Sequence, residues 1–170
     1  AALDHYFITA DPAEMNALDT GHFTGWQRTG MGFNVFDPTD VTSMSLPVCR
    51  LYGSPGYGLD THFYSASADE CADTLRNWPA HWTLESSNVF RMALPDMVNG
   101  ICPAGTLAVF RTWNRRADSN HRYTMDPVEW TATFKIPGDD GRGLWRCVFP
   151  TDPDAPEAEL LDFARAADRL

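Results

Sequence analysis

The chain reads as a mainly β protein with short helices (α+β): a pseudo-threefold, β-trefoil-like module of three repeats, followed by a C-terminal helix. Three observations predict this. A tripeptide ending in Val-Phe recurs as Asn34-Val35-Phe36, Asn88-Val89-Phe90 and Cys147-Val148-Phe149. Upstream of each lies an aromatic-polar box, running Phe7 to Glu14, Phe63 to Glu70 and Arg122 to Glu129. Between them stand short runs rich in β-branched and aromatic residues, punctuated by Gly, Pro and Asn. Such a period means one supersecondary unit copied and stacked, because a single unit cannot bury its apolar face alone. The repeats divide a module over 1–150 into about 1–40, 41–95 and 96–150, and leave 151–170 as an amphipathic helix.

Each unit is expected to run strand, strand, short helix, strand. The first strand is Pro47 to Tyr52 in repeat two and Leu107 to Trp113 in repeat three. Repeat one shows no such strand, so either that copy was trimmed or its strand comes from elsewhere in the chain. Turns follow at Gly53 to Gly58 and Asn114 to Asn120. A second strand carries the box. Asp11, Ser67 and Asp126 then supply helix-capping oxygens, Pro12 and Pro127 suit the first helical position, and Glu14, Glu70 and Glu129 sit in the first turn. The helices are predicted at about Pro12–Leu18, Ala68–Leu75 and Pro127–Phe134. A final strand is expected to end at each Val-Phe pair, after Trp26 in repeat one and Trp82 in repeat two. Polar, Pro-containing connections at Asp37–Leu46 and Ala93–Gly105 mark the unit boundaries. From Asp154 to Leu170 the pattern is helical, with acids early, Arg165 and Arg169 late, and an apolar stripe through Leu160, Leu161, Phe163, Ala164 and Ala167 that docks on the body.

A chain of 170 residues is one domain's worth, and 44% hydrophobic with 21% charged residues is ordinary globular composition. The net charge of −10 repels phosphate backbones and anionic lipid, which argues against nucleic-acid and membrane partners. No run approaches the ~20 apolar residues of a membrane helix. The start at Ala1-Ala2-Leu3 fits a chain whose leader was removed, or a domain cut from a larger secreted protein.

The four cysteines have no C-x-x-C spacing. Aligning repeat two on repeat three sets Cys49 against Phe110 and Cys71 against Trp130, and in repeat one Met15 takes the place of Cys71. One internal contact is thus apolar in one copy and a disulfide in another. This predicts Cys49–Cys71 and leaves Cys102–Cys147, each closed loop worth roughly 3–4 kcal/mol in the chain-entropy model. Such bonds persist outside the cytosol, so a secreted protein is expected.

The boxes resemble a repeat family of unknown function found in secreted, mainly bacterial proteins, whose units look like V-x-R-x-Y, H-F-Y-T, an A-x-E helix and G-W-x-x-x-G-x-x-F. The matching residues are Val48-Cys49-Arg50-Leu51-Tyr52, His62-Phe63-Tyr64-Ser65, Ala68-Asp69-Glu70 and Trp82 to Phe90. Repeat three gives Val109 to Trp113 and His121-Arg122-Tyr123-Thr124, with Gly143-Leu144-Trp145 where Gly-Trp is usual. Repeat one gives His5-Tyr6-Phe7-Ile8-Thr9 and Gly25-Trp26. Members look like appendages of secreted hydrolases, which implies a targeting or adhesion role. The resemblance carries no activity.

No G-x-S-x-G, H-E-x-x-H, P-loop or G-x-G-x-x-G motif is present, so no catalytic residue and no cofactor is assigned. His62 and His121 are equivalent, with His5 displaced by one. A trio of histidines could bind a metal, but a repeated His between aromatics more often fixes a turn, and no metal site is assigned. Arg50 and Arg111 are equivalent mid-strand cations that need partners, and Glu70 and Glu129 within their own units are the expected ones; a ligand clamp is the functional reading. Rings recur at Tyr52/Trp113, Tyr64/Tyr123 and Trp26/Trp82, with Tyr57 and Trp113 predicted at the surface. Sugars stack C–H faces on such rings while their hydroxyls meet polar side chains. The candidate ligand-binding set is therefore Tyr52, Tyr64, Trp113, Tyr123, His62, His121, Arg50 and Arg111. The expected function is a non-catalytic, secreted binding module for a polysaccharide or other surface polymer. A glycosidase-like secreted hydrolase and a protein-binding module are the alternatives.

Overall fold

Capping chemistry starts the first two helices where the repeats put them. The structure, a computed structural model, describes residues 5–42, 45–96, 98–114 and 116–128 with their side chains, and 144–148 and 159–165 as backbone. The first elements are β1 (His5–Thr9), α1 (Pro12–Asp19), β2 (Trp26–Asn34) and β3 (Leu46–Pro47). Next come β4 (Cys49–Gly53), β5 (His62–Ser65), α2 (Ala68–Asn77), β6 (Trp82–Ser86) and β7 (Arg91–Met92). The chain continues with β8 (Leu107–Trp113), β9 (His121–Thr124), β10 (Leu144–Val148) and β11 (Glu159–Arg165).

Each helix starts on the expected cap. The Asp11 carboxylate accepts the amide of Ala13 at 2.7 Å, and the Ser67 hydroxyl accepts that of Glu70 at 3.3 Å. Asp126 accepts the amide of Val128 at 2.7 Å, the same bond as at Asp11. The rest of the helix expected over Pro127–Phe134 lies outside the described residues.

The strands form three antiparallel three-stranded sheets, ordered β5-β4-β6, β9-β8-β10 and β1-β11-β2, and the short pair β3-β7. In the second and third units the first strand is the middle of its sheet. In the first unit that middle place is taken by β11, so the missing strand comes from the far end of the chain. This corrects the C-terminal helix: where the sequence reads as a helix to Leu170, Glu159–Arg165 is a strand. The reason is tertiary. β11 bonds to a neighbour on both sides, with Leu161 opposite Thr9, Phe163 opposite Phe7 and Leu160 opposite Phe33. Two ladders outweigh a local helical stripe.

The strand ends also differ from expectation. β2 stops at Asn34 and β6 at Ser86, short of the Val-Phe pairs. Val89 instead donates its amide to the Val48 carbonyl at 3.0 Å, and Val48 donates to that of Phe90 at 2.9 Å. The pairs recur because they pack: Val35 and Phe90 are both nearly inaccessible. They join Ile8, Val48, Tyr64, Val109 and Tyr123 in a central core drawn from all three units.

Smaller cores sit within units. Leu51, Leu59, Phe63 and Trp82 surround the Cys49–Cys71 disulfide, and Phe7 and Leu18 pack with Met15 and Trp26. Cys71 and Met15 thus occupy matching cores, as the repeat alignment predicts. Gly53 closes β4 where a Cβ would meet the Leu59 Cβ at 2.7 Å, so only glycine fits there. Cys102 is also disulfide-bonded, and the side chain of its expected partner Cys147 lies outside the described residues.

Candidate functional site: twin clefts between units

Functional side chains gather at the junctions between units. The β4-β5 and β8-β9 registers pair Arg50 with Tyr64 and Arg111 with Tyr123, so these positions are equivalent. Each arginine reaches into the preceding unit. Arg50 holds Glu14 of α1 through Nη1 and Nη2 at 2.9 and 2.6 Å, and Arg111 holds Glu70 of α2 at 3.1 and 2.6 Å. The expected Arg50–Glu70 pair within one unit is therefore corrected to pairs between units; Glu129 lies outside the described residues. Equivalence along the sequence identifies the partner types, but the stacking of units decides which copy supplies them.

The same junction carries two further repeated contacts. The Arg50 guanidinium lies over the Phe7 ring at 4.8 Å, and Arg111 lies over Phe63 at the same distance. His62 meets Phe7 edge-on at 4.7 Å, and His121 meets Phe63 edge-on at 5.0 Å. Burial opposes the charge on Arg50, but its hydrogen bonds to Glu14 and the charges of Glu14 and Glu85 leave its pKa raised, so it stays cationic. The third junction is built otherwise: Arg122 stands at the phenylalanine position, stacks on Tyr6 at 4.6 Å and donates to its hydroxyl.

Above each Phe-Arg-His floor opens a cleft. Cleft one, about 520 Å³, lies between units one and two, and cleft two, about 800 Å³, between units two and three. Their walls correspond: Glu14 with Glu70, Trp26 with Trp82, Tyr52 with Trp113, Asp60 with Ser119. Asp60 and Ser119, at matching places before β5 and β9, both adopt left-handed backbone, with φ of 51° and 47°. Such geometry in non-glycine residues concentrates at functional sites.

Six of the eight candidate residues line these clefts: Tyr52, His62 and Arg50 in cleft one, Trp113, His121 and Arg111 in cleft two. Tyr64 and Tyr123 line neither. They are buried in the central core, and their hydroxyls bond main chain. His5 does not join His62 and His121: the register aligns Tyr6 with those two, and His5 is buried with Nδ1 on the Asp60 carbonyl at 2.6 Å. Among the described residues no group of three or more His, Cys, Asp or Glu is placed to hold a metal ion.

The clefts differ in lining. Cleft two is aromatic: Trp78, at the C-terminal cap of α2, is 52% exposed, and Trp113 is 37% exposed and stacked on His121. His81 and Tyr57 meet beside it as a tilted ring pair, centroids 4.3 Å apart. Cleft one is acidic. Glu85 lies 2.8 Å from Arg50 Nε and 3.3 Å from His62 Nε2, and the Tyr52 hydroxyl donates to Asp60 at 2.8 Å. Burial pulls the Glu85 pKa upward, but His62 and Arg50 outweigh it and leave the carboxyl below its usual value. Trp78, His81, Asp60 and Glu85 were not among the sequence candidates. The one available signal is that Asp60 and Ser119 stand at the same place before the two equivalent histidines.

One protein-family model matches residues 1–138, that of a domain of unknown function, DUF5648. The chain belongs to this family. Both clefts fall inside the matched span, whereas β10 and β11 lie beyond it. No curated protein and no solved structure matches the chain. Among the described residues no helix of the DUF5648 domain is long and apolar enough to cross a membrane.

Proposed function

We propose that this DUF5648 domain is a non-catalytic binding module that recognises a polysaccharide or other surface polymer through its inter-unit clefts, and that it works outside the cytosol. The observation that carries the reading is the wall of cleft two, where the exposed rings of Trp78 and Trp113 stand beside Asn77, Asp73 and the Arg111–Glu70 pair. Large aromatic rings left in water next to oriented donors and acceptors suit a pyranose ring, whose C–H face stacks while its hydroxyls bond. Two related clefts on one body raise avidity for a polymer that spans both. The repeated junction contacts support a pseudo-threefold, trefoil-like reading of the three units. The Cys49–Cys71 disulfide favours an oxidising compartment, hence secretion.

The test is binding to a broad glycan array and to insoluble polysaccharides, repeated with EDTA. Saturable binding that Trp78→Ala and Trp113→Ala weaken supports the reading. Absence of binding to every glycan overturns it in favour of a protein partner.

A further inference from the structure

We infer that cleft two takes an uncharged pyranose whose C–H face stacks on Trp113, and that Ser119 is the positioning residue that holds this ring; the inference rests on the polysaccharide reading above. Trp113 stands directly across the β8-β9 ladder from His121, and the two rings stack within 11° of parallel. The indole Nε1–H donates to the Ser119 hydroxyl at 3.2 Å. The ring thus lies over the histidine of the cleft floor and is tied at its edge, yet it remains exposed.

Cleft one repeats the device. Tyr52 stands across its ladder from His62, tilts over that ring at 5.0 Å and donates its hydroxyl to the Asp60 carboxylate at 2.8 Å. Asp60 and Ser119 each lie two residues before the histidine, in the left-handed backbone that costs a non-glycine residue energy. In both copies this strained residue accepts the one polar hydrogen that the ring side chain carries. An exposed indole finds water for its N–H, so the tie to Ser119 fixes orientation rather than satisfying a buried donor. A ring held in place before the ligand arrives loses less freedom on binding.

The rest of the lining sets the ligand class. Glu70, Asp73, Thr74 and Asn77 follow helical spacing along α2 and line the same cleft, a polar stripe about 10 Å long for sugar hydroxyls. Arg111 is the one arginine of the lining, which holds no lysine, and its terminal nitrogens are bonded to Glu70 and to the Tyr64 carbonyl. A carboxylate or sulfate on the sugar therefore meets two acids and an arginine already engaged, on a chain of net charge −10. A neutral ring with equatorial hydroxyls, as in a β-linked glucan, presents the flat C–H face that Trp113 fits.

The probes are a β-1,4-linked glucose hexamer, its N-acetylglucosamine counterpart and the glucose hexamer oxidised to a carboxylate at every C6, titrated calorimetrically into the full chain. At least one neutral hexamer is expected to bind, and the carboxylated one at least about tenfold more weakly than it. Ser119→Gly permits the left-handed backbone and removes the acceptor, so it is expected to weaken the neutral hexamer about fivefold without lowering stability. Ser119→Asn, which tolerates that backbone and keeps an acceptor, is expected to restore binding. In a Trp113→Ala background Ser119→Gly is expected to add nothing, a result that a purely structural serine would not give. Full affinity in Ser119→Gly, no recovery in Ser119→Asn, an equal loss in the Trp113→Ala background, or equal binding of the carboxylated hexamer overturns the inference. Binding of other glycans but of neither neutral hexamer removes this inference alone. Absence of all glycan binding removes the polymer reading with it.

Discussion

The hydroxyl of Tyr123 bonds both main-chain groups of Tyr64, accepting its amide at 2.9 Å and donating to its carbonyl at 3.1 Å. Tyr64 repeats the arrangement one unit back, on the amide and carbonyl of Ile8, each at 2.9 Å. β1, β5 and β9 are all edge strands, and these bonds satisfy main-chain groups that would otherwise be buried at an open sheet edge. The tyrosines are thus the polar joints of an apolar core. Burial pushes the Tyr64 pKa well above its ordinary value, so its hydroxyl remains a donor.

Tyr64→Phe and Tyr123→Phe keep the ring and delete the joint. Each is expected to cost about 1–3 kcal/mol in urea unfolding, the range for leaving buried main-chain partners unsatisfied. Loss below a few tenths of a kcal/mol in both would show that water or a shifted strand replaces the hydroxyl.

The Arg111–Glu70 bond crosses between units, and a double-mutant cycle reads this directly. Coupling of about 1–3 kcal/mol is expected for Arg111→Met with Glu70→Gln, because one partner is buried and the other is partly exposed. Arg111→Met with Glu129→Gln is expected to be additive. Coupling to Glu129 and none to Glu70 would restore the intra-unit pairing.

The matching of Cys71 with Met15 gives a disulfide-free design. Cys49→Leu with Cys71→Met is expected to fold with the same circular dichroism and to lose about 3 kcal/mol, the loop-closure contribution of a loop of this length. A variant that fails to fold even at low temperature would show that the apolar contact cannot substitute for the bond.

The depressed pKa of Glu85 links stability to pH. Its folded value lies below the ordinary 4.5, so its contribution is present above that pH and is lost as pH falls through the folded value. Because Glu85 is about one-third exposed, the effect is about 1 kcal/mol after solvent screening. Unfolding free energy measured from pH 7 to 3 should fall less steeply on acidification in Glu85→Gln. Parallel profiles for variant and wild type would contradict the linkage.

Features governed by neighbouring residues were legible in the sequence. Asp11 and Ser67 cap the helices they precede, and the alignment of Cys71 with Met15 and of Cys49 with Phe110 points to the disulfide that forms. What depends on distant chain was not. Glu159–Arg165 carries a helical stripe, and only the gap between β1 and β2, at the other end of the chain, makes it a strand. Recurrence marked Arg50, Arg111, Tyr64 and Tyr123 alike, yet it does not distinguish a cleft wall from a core joint or one unit's glutamate from the next. Trp78 stands outside the repeated segments and Glu85 at a non-recurring position of the Trp82–Phe90 stretch, and only the stacking of units brings them to the clefts.

The most direct test of the account is the binding isotherm of the wild-type chain on insoluble polysaccharide beside that of Trp78→Ala/Trp113→Ala, with unfolding curves confirming that both are folded. The account predicts saturable wild-type binding and at least about a tenfold loss in the double variant, since each stacked ring is a large buried contact. Equal binding by the two folded proteins, or no binding by either, would contradict it.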